Sequence, residues 1–374
     1  FGADMDAGIK GTSPALSRIT VQRNRIHHPR CDSNSWMQLG NPDTGSYHPR
    51  GPQAIVWGNN DGNHVIRYNE VYSDDEHRFN DCIGGYSNFS RQGFPGPDSD
   101  VYGNRVQDCW DDGLEIEGGG RNVRVWGNYI DRTMVGIATC ACTVGPLYVY
   151  RNVQGRSQWA IYPDGDTDRY VQPAGTDKLP RMNRGYFAKV GEPRTGGSGP
   201  QYWLHNTLLQ PAPPAGRTIT LGMKNAVLSV GHSGMITELV SLNNIWECCR
   251  PQPAETNVCI RARRRKNPPK IGTRCNTFDY DLYSGPLLLV YDGAEAHGVR
   301  GRPVYADGNG PASGAGGMCQ LAPQSPGYDA AVRIPNVNDG FRGKAPDMGA
   351  HEAGAPRMEF GVDAYLPAAD PDGD

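Results

Sequence analysis

The sequence predicts an all-β chain wound as a parallel β-helix. Three observations predict it. Short β-rich segments recur with Asn at a fixed place. No stretch keeps the i, i+3, i+4 apolar pattern of a helix. With 49 Gly and 30 Pro in 374 residues, turns must be frequent.

The repeating segments read "ITVQRNRI" (19–26), "HVIRYNEV" (64–71), "DVYGNRV" (100–106), "NVRVWGNYI" (122–130) and "LYVYRNV" (147–153). Their Asn residues are Asn24, Asn69, Asn104, Asn128 and Asn152, the last three at a spacing of 24. Looser copies follow at "YWLHNTL" (202–208), "LVSLNNI" (239–245) and "RCNTFDYDLY" (274–283). Second strands lie between them at "QAIVWG" (53–58), "DCIGGY" (81–86), "DGLEIEG" (112–118), "VGIATC" (135–140) and "WAIYPD" (159–164). Such a period with several short strands indicates a solenoid. The Leu framework of a leucine-rich repeat is missing, so coils of parallel strands remain. Each Asn is expected at a tight bend, where Asn tolerates left-handed backbone, and stacked Asn side chains can bond from coil to coil.

The rhythm breaks at 87–99, 165–200 and 250–270, where loops should leave the coils. No linker separates two domains. Residues 1–283 read as coils, and the Gly- and Pro-rich residues 284–374 as a closing segment that wraps or caps the C-terminal end.

The "NVRVWGNYI…GIAT" cadence, the "NTFDYDLYSG" stretch and the closing "APQSPGYDAA…APDMGAHEAG" carry a resemblance. The chain resembles the right-handed parallel β-helix proteins of the pectin lyase-like superfamily. That resemblance implies work on extracellular polysaccharide. The fold also carries hydrolases, epimerases and inert surface proteins, so it does not fix an activity.

The net charge of −3 gives no global attraction for nucleic acid or an anionic membrane. No apolar run approaches the ~20 residues of a membrane helix. The chain starts with Phe and shows no signal peptide, which reads as a processed chain or a fragment. Ten cysteines without zinc spacing suggest an oxidising, extracellular location with most of them in disulfides. Cys140 and Cys142 should share one face of a strand and bridge to other coils. Asn88-Phe89-Ser90 fits a glycosylation acceptor, a triplet common by chance.

Chemistry points to "WDDGLEIEGG". Aligning the second strands stacks Leu114 on Ile83 and Ile137, all inward, and turns Glu115 and Glu117 outward. The turn "SDDEHRFND" then falls beside Asp111 and Asp112. Candidate catalytic residues are Asp111, Asp112, Glu115, His77 and Arg78. Candidate substrate contacts are Tyr86, Tyr162, Glu117 and Arg132. Asp74, Asp75 and Glu76 are candidate calcium ligands. Paired carboxylates suit glycoside hydrolysis. Acids holding calcium, with a base and an Arg, suit β-elimination at a uronate, and the family's calcium-dependent lyases use acids this way. A solvated outer face would carry the same acids without chemistry. His27, His28 and His48 lie in early loops, and "RARRRK" (261–266) reads as a solvated loop. The expected function is therefore polysaccharide binding or cleavage by a lyase or hydrolase. The alternative is a non-catalytic, disulfide-braced rod in a surface assembly.

Overall fold

The computed structural model describes residues 7–35, 40–46, 48–74, 76–156, 186–190, 198–209, 226–230, 238–247, 258–262, 276–288, 293–311 and 316–367. These residues form 24 strands and no helix, and all the strand pairs are parallel. The arrangement is compatible with a β-helix or solenoid, each circuit of the chain pairing with the circuits before and after it. No helix among the described residues is long and apolar enough to cross a membrane.

One sheet has eight strands: β2 (Thr20–Gln22), β5 (Val65–Arg67), β8 (Asp100–Tyr102), β10 (Val123–Trp126), β12 (Leu147–Tyr150), β15 (Gln201–Leu204), β18 (Leu239–Leu242) and β21 (Thr277–Asp279). Alternation fixes its faces. Val101, Val125, Val149 and Trp203 stack in register and are fully buried. Tyr102, Trp126 and Tyr150 point the other way and stack ring on ring, at 4.3 and 5.9 Å between centroids.

The larger sheet has sixteen strands in two columns. The first follows the Asn bends: β3 (Arg25–His27), β6 (Glu70–Tyr72), β9 (Arg105–Glu115), β11 (Tyr129–Thr139), β13 (Val153–Gln154), β16 (Thr207–Leu208), β19 (Ile245–Trp246), β22 (Leu282–Tyr283) and β24 (Val299–Arg300). The second holds β1 (Ala7–Gly11), β4 (Gln53–Trp57), β7 (Ile83–Gly85), β14 (Tyr186–Val190), β17 (Ala226–Val230), β20 (Val258–Ala262) and β23 (Leu287–Leu288). The long β9 and β11 run through both columns and join them. Ile55, Ile83, Leu114, Ile137 and Ala188 are in register and fully buried. Each large aliphatic side chain in that stack contributes ~1.5–3 kcal/mol by leaving water.

The Asn residues form a continuous ladder. Asn24, Asn69, Asn104, Asn128, Asn152, Asn206 and Asn244 each donate from Nδ2 to the Oδ1 of the next rung, at 2.9–3.0 Å, and Asp281 accepts at the end. Each backbone N–H donates to the same oxygen; for Asn104 and Asn128 the distance is 3.0 Å. The expected reason for Asn at the bend is corrected here. The left-handed residue is the one before each rung: Arg23, Tyr68, Gly103, Gly127, Arg151, His205, Asn243 and Tyr280 all have φ between 53° and 64°. Asn is needed for its amide, which satisfies buried backbone groups that the bend leaves open.

The closing segment takes a long course back along these bends. Val332 bonds Asn243, Asn338 and Gly349 bond His205, and Arg151 donates to the Val337 carbonyl. Gly361 donates to the Gly103 carbonyl, and Arg23 of the first coil donates to the carbonyls of Val362 and Ala364. The strap therefore runs from the last coils to the first, covering left-handed residues whose carbonyls and side chains would otherwise face water.

The cysteine expectation is corrected. Cys31, Cys82, Cys109, Cys142 and Cys319 are in no disulfide, so at most half of the ten can be paired, not the expected majority. Cys82, Cys109, Cys142 and Cys319 are buried among apolar groups and behave as small core side chains. Cys248, Cys249 and Cys275 lie outside the described residues.

Candidate functional site

The outer face of the second column gathers five buried carboxylates: Asp81, Asp111, Asp112, Glu115 and Glu117. A bulge explains how two consecutive residues reach one site. Against β11, Thr133 pairs with Cys109 but Val135 with Asp112. On the other side Phe79 pairs with Cys109, and Ile83 with Leu114. Both comparisons show one extra residue in β9, which the first places between Cys109 and Asp112. A bulge suspends the alternation of side chains and re-aims them, so Asp111 and Asp112 both turn to Asp81.

One oxygen from each of Asp81, Asp111 and Asp112 lies within 4.8 Å of the other two, and the same holds for Asp112, Glu115 and Glu117. Asp112 belongs to both groups. The backbone N–H of Asp112 donates to Asp81 Oδ1 at 3.0 Å. Asp81 Oδ2 accepts from Gln53 at 2.5 Å and Asn80 at 2.9 Å. Glu115 accepts from Asn88 Nδ2 at 2.8 Å and the Gly85 N–H at 3.2 Å. Gly84 is required beneath it, since a Cβ there would sit 2.7 Å from Glu115 Cβ and 2.9 Å from its Oε2. The Cys140 N–H donates to Glu117 at 3.1 Å.

One lysine enters from the next coil. Register places Lys189 of β14 beside Ala138, which itself pairs with Glu115. Its ammonium lies 2.7 Å from Asp112 Oδ2 and 3.2 Å from Glu117 Oε1. His48 approaches Asp111 at 3.5 Å from the rim. Among the described residues the five acids meet one partly buried ammonium, and their negative charge is held in a desolvated place. Protonation relieves it: burial and the neighbouring carboxylates push Asp81 and Glu117 up to about 7, and push Glu115 well above its ordinary value. Asp112 Oδ1 remains buried with no hydrogen-bond partner.

All the donors are hard oxygens and one is unsatisfied, which fits a cation such as calcium, bound at ~2.3–2.6 Å by several carboxylates. Burial and the neighbouring acids push Glu115 well above the ordinary carboxyl range, and Glu117 to about 7, unlike proton affinities of the kind acid and base roles need.

Some residues singled out from the sequence lie elsewhere. Pairing sets Asn80 and Asp81, rather than His77 and Arg78, opposite Asp111 and Asp112. Arg78 stacks on the Trp110 ring at 4.3 Å, and Arg78 and Arg132 gather round Asp108, which Arg132 meets at 2.5 Å. His77 donates its N–H to Asp74, which also caps the Glu76 N–H, so Asp74 and Glu76 are used in a turn of their own. Neither joins the two carboxylate groups found among the described residues. Tyr86 is exposed, above Gly58, with its hydroxyl 3.3 Å from the Gly11 carbonyl. Tyr162 and Asp75 lie outside the described residues.

Asp81 and Lys189 were not singled out from the sequence. Asp81 needed the bulge to be recognised. Lys189 sits in "YFAKV", whose alternation marks a strand, but the broken rhythm after Asn152 hides which coil it joins. Compared with protein-family models, curated proteins and solved structures, the chain matches none.

Proposed function

We propose that this chain is a right-handed parallel β-helix of the pectin lyase-like type that cleaves an acidic extracellular polysaccharide by β-elimination. One observation carries the reading: a buried cluster of carboxylates with unlike proton affinities converges, among the described residues, on the Lys189 ammonium and on an unpartnered Asp112 oxygen. A rod-like structural protein needs no such convergence on one column.

Elimination fits the spacing better than inverting hydrolysis. Inverting enzymes hold their two carboxyls ~6.5–9.5 Å apart to admit a water, while oxygens within each group here lie within 4.8 Å. Glu117, poised near neutrality, takes the proton α to the uronate carboxyl. Glu115 gives its proton to the departing glycosidic oxygen as the carbon–oxygen bond breaks and the carbon–carbon double bond forms. Lys189, which meets Asp112 and Glu117, would neutralise the uronate carboxylate. It and Glu115 keep some exposure, 18% for the lysine side chain and 8% for the glutamate. Asp81, Asp111 and Asp112 would hold calcium, whose charge would stabilise the enolate-like transition state when bound.

Purified protein incubated with polygalacturonate, alginate and neutral glucans, with and without chelator, tests this. The reading expects unsaturated uronate ends from an acidic polymer, lost on chelation. New reducing ends without unsaturation would replace elimination by hydrolysis. No product from any polymer would favour the rod.

A further inference from the structure

A second charged feature lies on the first column, apart from the carboxylates. A cavity of about 420 Å³ opens between the coils and the closing strap. That size falls within the ~300–1,000 Å³ of small-ligand clefts. Three guanidiniums line it, Arg105, Arg132 and Arg156, against one lining carboxylate, Asp131. In a chain of net charge −3 this is a local surplus of the opposite sign.

The three arginines are held differently. Arg156 grips Asp131 with two bonds, at 3.0 and 2.5 Å. Arg132 reaches down to buried Asp108 at 2.5 Å, which leaves its Nε buried and without a hydrogen-bond partner. Arg105 lies over the Tyr129 ring at 4.8 Å and has no acidic partner among the described residues. Glu70, its neighbour one coil below, is taken by Arg25 at 3.1 Å. The strap keeps the cavity open with glycine. Gly317 has φ of +109°, and a Cβ on it would lie 2.8 Å from Tyr129 and 2.7 Å from Phe360. Gly316 passes within about 3.5 Å of the Arg105 guanidinium, measured from where its Cβ would be.

We propose that this cavity binds a small ligand bearing a carboxylate or sulfate group, with Arg105 as the main contact. A planar guanidinium fixed on an aromatic face presents a paired donor edge that matches either group. The site is separate from the carboxylate cluster and does not depend on the reaction proposed for it.

Titration calorimetry with galacturonate, inorganic sulfate and neutral galactose tests the proposal. Wild type should bind an anion and not galactose. Tighter galacturonate binding would identify a uronate, and tighter sulfate binding a sulfate ester. Arg105→Gln should weaken binding about tenfold or more, the loss expected for one charge-assisted contact, and Arg156→Gln should weaken it less because its guanidinium is already engaged. Thermal midpoints near the wild-type value would show that both variants are folded. The proposal is overturned if wild type binds neither anion at millimolar concentration, or if folded Arg105→Gln binds as wild type does.

Discussion

Lys189 Nζ lies 2.7 Å from Asp112 Oδ2, although 77 residues separate them in the chain. The contact neutralises one of five buried acids. Breaking a buried pair by removing one partner costs ~3–5 kcal/mol, because the other charge stays behind. Lys189→Met should therefore destabilise by about that much at pH 8 in denaturant titration. The loss should shrink at pH 5, below the value of about 7 to which Glu117, the second partner of Lys189, is pushed. An equal loss at both pH values would show that packing, rather than charge, is what Lys189 supplies.

The carboxylates predict a direction for stability against pH. Asp81 and Glu117 rise from 3.8 and 4.5 to about 7 on folding. Between those values the folded chain holds more protons than the unfolded one, so stability falls as pH rises toward 7 and levels off above it. Asp81→Asn should flatten that fall. Melting curves from pH 4.5 to 8 check it, and a variant that keeps the full slope would remove Asp81 from the explanation.

His205 has the opposite sign. Its Nδ1 faces the Gly349 carbonyl, so Nε2 accepts from Asn243 and Asn338. Burial and Arg151 lower it to about 3, from 6.5. The unfolded state then binds the extra proton, and this clasp loses stability as pH falls from ~6.5 toward 3. Protonated, Nε2 would face two amide donors. Hydrogen exchange in residues 327–350 should accelerate on that descent, while the Asn-ladder amides stay protected. Exchange that is uniform along the chain would contradict a local clasp.

The ladder is a stability element. At Asn128 the side chain accepts from Asn104 and donates to Asn152 and to the Val101 and Trp126 carbonyls. Asn128→Leu leaves these buried groups unsatisfied and should cost ~1–3 kcal/mol. Denaturant titration measures it, and a change below ~0.5 kcal/mol would match an ordinary surface site.

Much of this was legible in the sequence for a physical reason. Parallel stacking repeats one environment per coil, so the 24-residue spacing of Asn104, Asn128 and Asn152 reports the ladder directly. The Ile83–Leu114–Ile137 stack was legible because a two-residue period fixes the inward set. The site was legible only in part. Asp112, Glu115 and Glu117 follow from the period, but the bulge at Trp110–Asp111 shifts the facing turn, bringing in Asp81 and leaving Arg78 to Trp110 and Asp108. Lys189 enters after a long interruption that spacing cannot count across.

The proposed cation site, as opposed to a merely polar outer face, makes folding stability depend on calcium. The most direct measurement is the thermal midpoint of wild type and Asp112→Asn with and without millimolar calcium, at pH 7.5. A bound ligand at about 100 times its Kd stabilises the folded state by ~2.7 kcal/mol. Wild type should therefore melt several degrees higher with calcium, and Asp112→Asn, folded in its absence, should not respond. A wild type indifferent to calcium, or a variant that responds equally, would contradict the account.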